Sequence, residues 1–248
     1  MKRKRWKSVT VVALGILVVS FAGGLTIWTA GTLGPSEQAL LMLQSDSEVR
    51  IIQESDLITF EPVASQPSSG FILYPGARVD FRSYSPLLRE IAARNHLVVV
   101  LRSPLNLAFF NANGADEVIA AYPQITNWVI GGHSLGGVVA ASYVARRPTV
   151  SGLVLWASYP ADDSLMETNA KVLSIYGSND GLTTPVEVLQ SQDLLPPDAT
   201  FIEIRGGNHS QFGSYGPQPG DDKATIPAED QWAQIIDATT ELLELDTK

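Results

Sequence analysis

The sequence predicts an α/β fold: a mostly parallel sheet with helices on both faces, preceded by an apolar N-terminal segment that reads as a transmembrane helix. Three observations predict it. From about Glu48 onward, short β-branched runs alternate with helical stretches, the order expected of strand–helix–strand crossovers. One of those runs, LVVVLR (97–102), is almost continuously apolar, as in strands covered on both sides. Ahead of them, residues 8–30 contain no charged residue and follow five basic ones, Lys2, Arg3, Lys4, Arg5 and Lys7.

The apolar segment comes first. About 20 apolar residues span a bilayer's hydrocarbon core, and Trp6 and Trp28 fall near its two ends, where indole rings suit the interface. The reading is a cytoplasmic basic tail (1–7), a signal-anchor helix (8–30), a linker (31–47) that holds at most a helical turn or two, and an extracytoplasmic domain (48–248). The rival reading is a signal peptide cleaved after Ser20-Phe21-Ala22, which secretes the domain.

Within the domain, VRIIQ and LITFEP are early strands, followed by FILY (71–74) ending at Pro75-Gly76. YSPLLREIAARN (84–95) has helical spacing and leads into LVVVLR. ADEVIAAY (115–122) is a helix, WVIG (128–131) a strand and LGGVVAASYVARR (135–147) a helix packed through small residues. LVLWAS (153–158), VLSIYG (172–177) and FIEIR (201–205) are strands, with a helix from Pro185 to Leu194 between the last two. AEDQWAQIIDATTELLEL (228–245) closes the chain as an amphipathic helix, with Trp232, Ile235, Ile236, Leu242 and Leu243 on or near one face. In such sheets, chemistry sits at the carboxyl ends of the strands.

Composition excludes some functions. The chain has no cysteine, so it has no disulfide, thiolate metal site or thiol nucleophile. It carries 17 basic and 26 acidic residues, and without the five N-terminal basic ones the remainder holds 12 against 26. So acidic a body repels phosphate backbones, and no nucleic-acid partner is expected.

Gly132-His133-Ser134-Leu135-Gly136 fits Gly-x-Ser-x-Gly. It follows a strand and opens a helix, the setting in which a serine stands at the apex of a sharp turn with its hydroxyl above the sheet. A serine hydroxyl needs a base, and three histidines are available. His133 is next to Ser134 and cannot fold back onto its hydroxyl. His96 precedes LVVVLR, on the amino edge, and reads as a surface or capping residue. His209, in GGNHSQFGSYG after FIEIR, lies at the correct edge. The acid that would orient it is Asp180 in GSNDGL after VLSIYG, with Asp162 or Asp163 as rivals; Ser134, Asp180, His209 is the serine–acid–histidine order of Gly-x-Ser-x-Gly sheets. Backbone donors for a tetrahedral oxyanion are expected at Leu135, immediately after the serine, and at Ala77 in YPGARVD. Leu105, Leu107, Phe109 and Phe110 form either an apolar wall for the substrate or core packing beneath their loop.

YPGARVD, SPLNLAFF, GGHSLGG, YGSNDGL and GGNHS, spanning about residues 70 to 213, together resemble the α/β-hydrolase superfamily, in particular its compact fold-5 members related to dienelactone-hydrolase-like proteins. The resemblance implies a Ser–Asp–His hydrolase without a cofactor. Two departures stand out: Pro75-Gly76 replaces the His-Gly of many members, and the nucleophile is Ser134 rather than the cysteine of dienelactone hydrolases proper. The connection Tyr159–Ala170 is too short for a lid domain, so an open site is expected, taking small-molecule, short-chain carboxylic esters. Two further readings are acyl transfer by the same three residues and a non-catalytic binding protein.

Overall fold

The computed structural model describes Gly24 and residues 31–64 and 66–245. The compact unit that contains the sheet is Leu33–Lys248. Its strands are β1 (Val49–Gln53), β2 (Leu57–Pro62), β3 (Ser69–Tyr74), β4 (Leu97–Leu101), β5 (Asn127–His133), β6 (Gly152–Trp156), β7 (Lys171–Gly177) and β8 (Thr200–Ile204). The α-helices of that unit are α1 (Glu37–Leu41), α2 (Ser85–Ala93), α3 (Gly114–Ala121), α4 (Leu135–Val144), α5 (Pro185–Gln190) and α6 (Ala228–Leu245). All eight strands form one sheet in the order β1-β2-β4-β3-β5-β6-β7-β8. The β1–β2 and β2–β4 pairings are antiparallel and the other five are parallel.

Burial on both faces explains the apolar strands. In β4 all five residues are buried. Val98 and Val100 join a core layer with Leu87 and Leu88 of α2 and Ile235 of α6. Leu97, Val99 and Leu101 join the opposite layer with Val118 of α3 and Tyr143 of α4. Alternate side chains leave a strand on opposite faces, so a strand between two helical layers needs no polar position. In α6 the five residues expected on its apolar face are all buried. The helix expected at 185–194 is α5 continued by a 3-10 turn, Ser191–Leu194.

The strand order places the site. The chain moves from β3 outward to β4, then returns to β5 on the other side of β3. A crevice opens where the order reverses. There Tyr74 of β3 pairs with Gly132 of β5, so the loop after β3 and the turn after β5 leave the sheet side by side.

Two expectations are corrected. Residues 33–47 belong to the domain rather than to a linker, and the helical turn expected there is α1. Leu33 forms a parallel bridge with Val79, Ser36 caps α1 by accepting the Ala39 N–H at 3.1 Å, and Ala39 is fully buried. The stretch reads as a linker because its few apolar residues lack a strand's or a long helix's period. His96 is at the amino edge as expected, but it is buried rather than superficial, with Nδ1 2.6 Å from Ser69 Oγ. The segment 8–30, Gly24 apart, lies outside the described residues; among the described residues no helix is long and apolar enough to cross a membrane.

The tightest packing is at the start of α4. A Cβ on Gly136 would collide with the carbonyl oxygens of Tyr74 and Pro75, and one on Gly132 with the Gly136 backbone. Backbone cannot yield as a side-chain tip can. Gly136→Ala is therefore expected to destabilise the domain by about 1–3 kcal/mol, lowering Tm in thermal unfolding by roughly 2–4 °C per kcal/mol. An unchanged Tm would contradict this packing.

Candidate active site

Ser134 stands between the last residue of β5 and the first of α4 at φ 51°, ψ −124°. Positive φ is uncommon for a residue with a Cβ. Three hydrogen bonds hold it there: Ser134 N–H donates to Trp156 O (2.9 Å), and Ser134 O accepts from Gly137 N–H (2.9 Å) and Ser158 Oγ (2.7 Å). The backbone is thus fully engaged. The hydroxyl makes no hydrogen bond among the described residues and stands at the partly exposed rim.

Asp180 and His209 come from loops after β7 and β8, on the same carboxyl edge. His209 Nδ1 lies 2.8 Å from Asp180 Oδ2, and the two side chains are 1% and 0% exposed. Asp180 Oδ1 accepts the Leu182 and Thr183 N–H groups at 2.9 and 2.6 Å, which fixes the carboxylate's plane. With Nδ1 facing a carboxylate, the imidazole keeps Nε2 for a proton in transit. The His209 and His133 rings are 4.6 Å apart, which sets His209 beside the Ser134 turn. Ser134 and His209 share no hydrogen bond; catalytic contacts of this kind commonly tighten in a Michaelis complex. The rival acids Asp162 and Asp163 are exposed.

His133 has a structural part that sequence reasoning missed. It is fully buried, and its ring stacks on Phe212 at 5.7 Å and 13°. Burial, then the neighbouring His209, holds its pKa well below the ordinary imidazole range. Its Nδ1 lies 2.9 Å from Tyr84 Oη, which also accepts the Gly76 N–H at 2.9 Å. Burial pushes the Tyr84 phenol up, so it stays protonated and donates to His133 Nδ1. That assigns the His133 proton to Nε2. No motif marks Tyr84; only the fold brings it to residue 76.

This network also sorts the donors of the loop after β3. Pro75 has no N–H, Gly76 N–H is taken by Tyr84, and Arg78 N–H donates to Asn106 O at 2.9 Å. Ala77 N–H makes no hydrogen bond among the described residues. Leu135, as the first residue of α4, has no intrahelical acceptor for its own N–H. Ala77 N–H and Leu135 N–H thus have no hydrogen-bond acceptor among the described residues. The Arg78–Asn106 bond also ties in the loop bearing Leu105, Phe109 and Phe110. Leu105, Phe109 and Phe110 are 38%, 57% and 60% exposed, which argues against core packing for these three, while Leu107 is half-buried. Among the described residues no group of three or more His, Asp or Glu is placed to hold a metal ion.

Fold and rim geometry together define an α/β-hydrolase. Residues 70–233 match the alpha/beta hydrolase family, and the chain belongs to it. Among solved structures, a candidate alpha/beta hydrolase of unknown function from Agrobacterium tumefaciens superposes with TM-score 0.57 at 16% identity, covering 80% of this chain and 97% of the other. A protein described as a predicted CIB-like hydrolase from Thermoplasma acidophilum gives 0.56 at 13% identity, covering 78% and 98%. Both likenesses are of fold. No curated protein matches the chain.

The buried histidines imply a pH dependence of stability. His133 is depressed as described. His96 is depressed by burial first and by Arg94, against an opposing pull from Glu244. The unfolded chain takes up protons near the ordinary value of about 6.5, whereas the folded chain does so only lower. Stability is therefore intact above about pH 6.5 and is lost as pH falls through the folded values. The urea midpoint is expected to drop between about pH 7 and 5, with a shallower slope in His96→Gln. A midpoint constant across that window would refute the assignment.

Proposed function

We propose that the chain is a serine hydrolase that cleaves a carboxylic ester-like bond through an acyl-enzyme. The observation that carries this reading is the buried 2.8 Å Asp180–His209 pair on the sheet edge where Ser134 is held at positive φ.

Ser134 Oγ attacks the ester carbonyl while His209 Nε2 takes the hydroxyl proton. The carbonyl oxygen becomes an oxyanion held by the Ala77 and Leu135 N–H groups. Collapse breaks the carbon–oxygen bond to the leaving alcohol, which receives the proton from His209. A water then gives its proton to His209 and attacks the acyl-Ser134 ester, and the second collapse frees the acid and restores the hydroxyl. Asp180 keeps the imidazole oriented and stabilises the imidazolium. No cofactor enters these steps.

Small carboxylic esters are the proposed substrates. The connection from β6 to β7 contains no helix, so that connection carries no lid domain, and Leu105, Phe109 and Phe110 offer an apolar wall to the acyl group. Residues 8–30 are proposed to anchor this domain outside the cytoplasmic face of a membrane, on the strength of their length, lack of charge and basic flank.

Replacing Ser134 with Ala is expected to abolish labelling by a fluorophosphonate probe and to lower p-nitrophenyl ester turnover by about 10⁴-fold or more, with the circular dichroism spectrum unchanged. Undiminished turnover would refute the nucleophile. Across a series of acyl lengths, kcat/KM is expected to be highest for short chains; cleavage of long chains alone would overturn the substrate assignment. Turnover that requires an added acceptor alcohol would indicate acyl transfer instead.

A further inference from the structure

We infer that Asp221 is a positioning residue that locks the acid and base loops to each other; this rests on the hydrolase reading above. Asp221 follows Gly220, at φ 91°, in the stretch between the His209 loop and α6. Its carboxylate receives four donors from two separate loops. Oδ1 accepts the Gly181 N–H at 3.2 Å and the His209 N–H at 3.3 Å. Oδ2 accepts the Ser210 N–H at 2.8 Å and the Ser210 hydroxyl at 2.5 Å. Gly181 is the neighbour of the acid and Ser210 the neighbour of the base, so one side chain spans the loops after β7 and β8.

Neither loop is otherwise fixed to the other by regular pairing beyond the ends of those strands. The β7–β8 register ends at Gly177 and Ile204, three residues before Asp180 and five before His209. Beyond it, Ser178 N–H reaches Ile204 O at 3.0 Å, Gly206 N–H reaches Ser178 Oγ at 2.8 Å and Asn179 N–H reaches Gly207 O at 2.8 Å, all nearer the strand ends than Asp180 and His209, while Asn179 Nδ2 reaches Lys223 O at 3.1 Å. The stretch around Asp221 therefore straps both loops. It passes so close that a Cβ on Gly181 would lie 2.7 Å from Asp222 N. A carboxylate suits this place because it offers only acceptors to four donors. Asparagine would turn its NH₂ towards one pair of them, and alanine would leave all four without an acceptor.

Asp221→Ala is expected to lower kcat by about 10²-fold with KM nearly unchanged, and Asp221→Asn is expected to fall between it and wild type. Rates are taken per active site titrated with a fluorophosphonate. The low-field proton resonance of His209 Nδ1–H is expected to broaden or move upfield in both variants. Asp222→Asn removes the same charge one residue away, from an exposed side chain, and is expected to leave both readouts at the wild-type level.

A role confined to stability would lower the titrated fraction but leave kcat per site and the resonance unchanged, and that result would overturn the proposal. Should Asp221→Ala fail to fold, Asp221→Asn decides on the same two readouts. A wild-type chain that takes no label would remove the hydrolase reading, while the His209 resonance would still report whether Asp221 holds the pair together.

Discussion

The site depends on a serine held where a residue with a Cβ resists being placed. Positive φ at Ser134 costs on the order of 1–3 kcal/mol, and the surroundings offset that cost by fixing every backbone group of the residue. Its N–H and C=O are taken up by Trp156, Gly137 and Ser158. The turn can be this sharp only because α4 starts against the end of β3, and α4 can start there only because residues 132 and 136 have no side chains to collide. The glycines thus set the helix, the helix sets the turn, and the turn lifts the hydroxyl clear of the sheet.

Beneath that turn, two aromatic rings settle a second constraint. A buried neutral histidine is an awkward core residue, yet His133 joins the loop after β3 to the His209 loop. Tyr84 engages its Nδ1 and the Gly76 N–H together, and Phe212 covers its face. Fixing residue 76 leaves the next N–H, that of Ala77, uncommitted. The residue between the glycine and serine of the motif therefore works through packing on loops the motif does not contain.

What the sequence made legible follows from the range of each signal. β4 announced itself because two-sided burial leaves a local trace in LVVVLR, and α6 because one-sided burial repeats with the helical period. Ser134, Asp180 and His209 could be singled out because the motif, the strand ends and the shortage of histidines each restrict the choice. Tyr84, Ser158 and Asp221 could not, because each acts on residues distant in sequence and none differs locally from an ordinary helix-start tyrosine, loop serine or turn aspartate. His96 looked superficial for the same reason: its burial depends on Ser69, which pairs with it only after β3 and β4 align.

The misread stretch 31–47 bears on the chemistry more than its composition suggests. Leu33 N–H donates to Arg78 O at 2.7 Å, and Leu33 O accepts the Asp80 N–H at 2.9 Å. These bonds flank Ala77 on its C-terminal side, much as the Tyr84 bond flanks it on the other. Three residues later, Ser36 N–H donates to Ser214 O at 2.7 Å, and the two hydroxyls lie 2.6 Å apart, so the same short stretch also grips the loop that carries His209. A segment that served only to hold a domain at a distance would have no reason to spend its backbone groups on the two loops nearest Ser134. Its bonds instead make it part of the rim, tying the loop after β3 to the loop that carries His209.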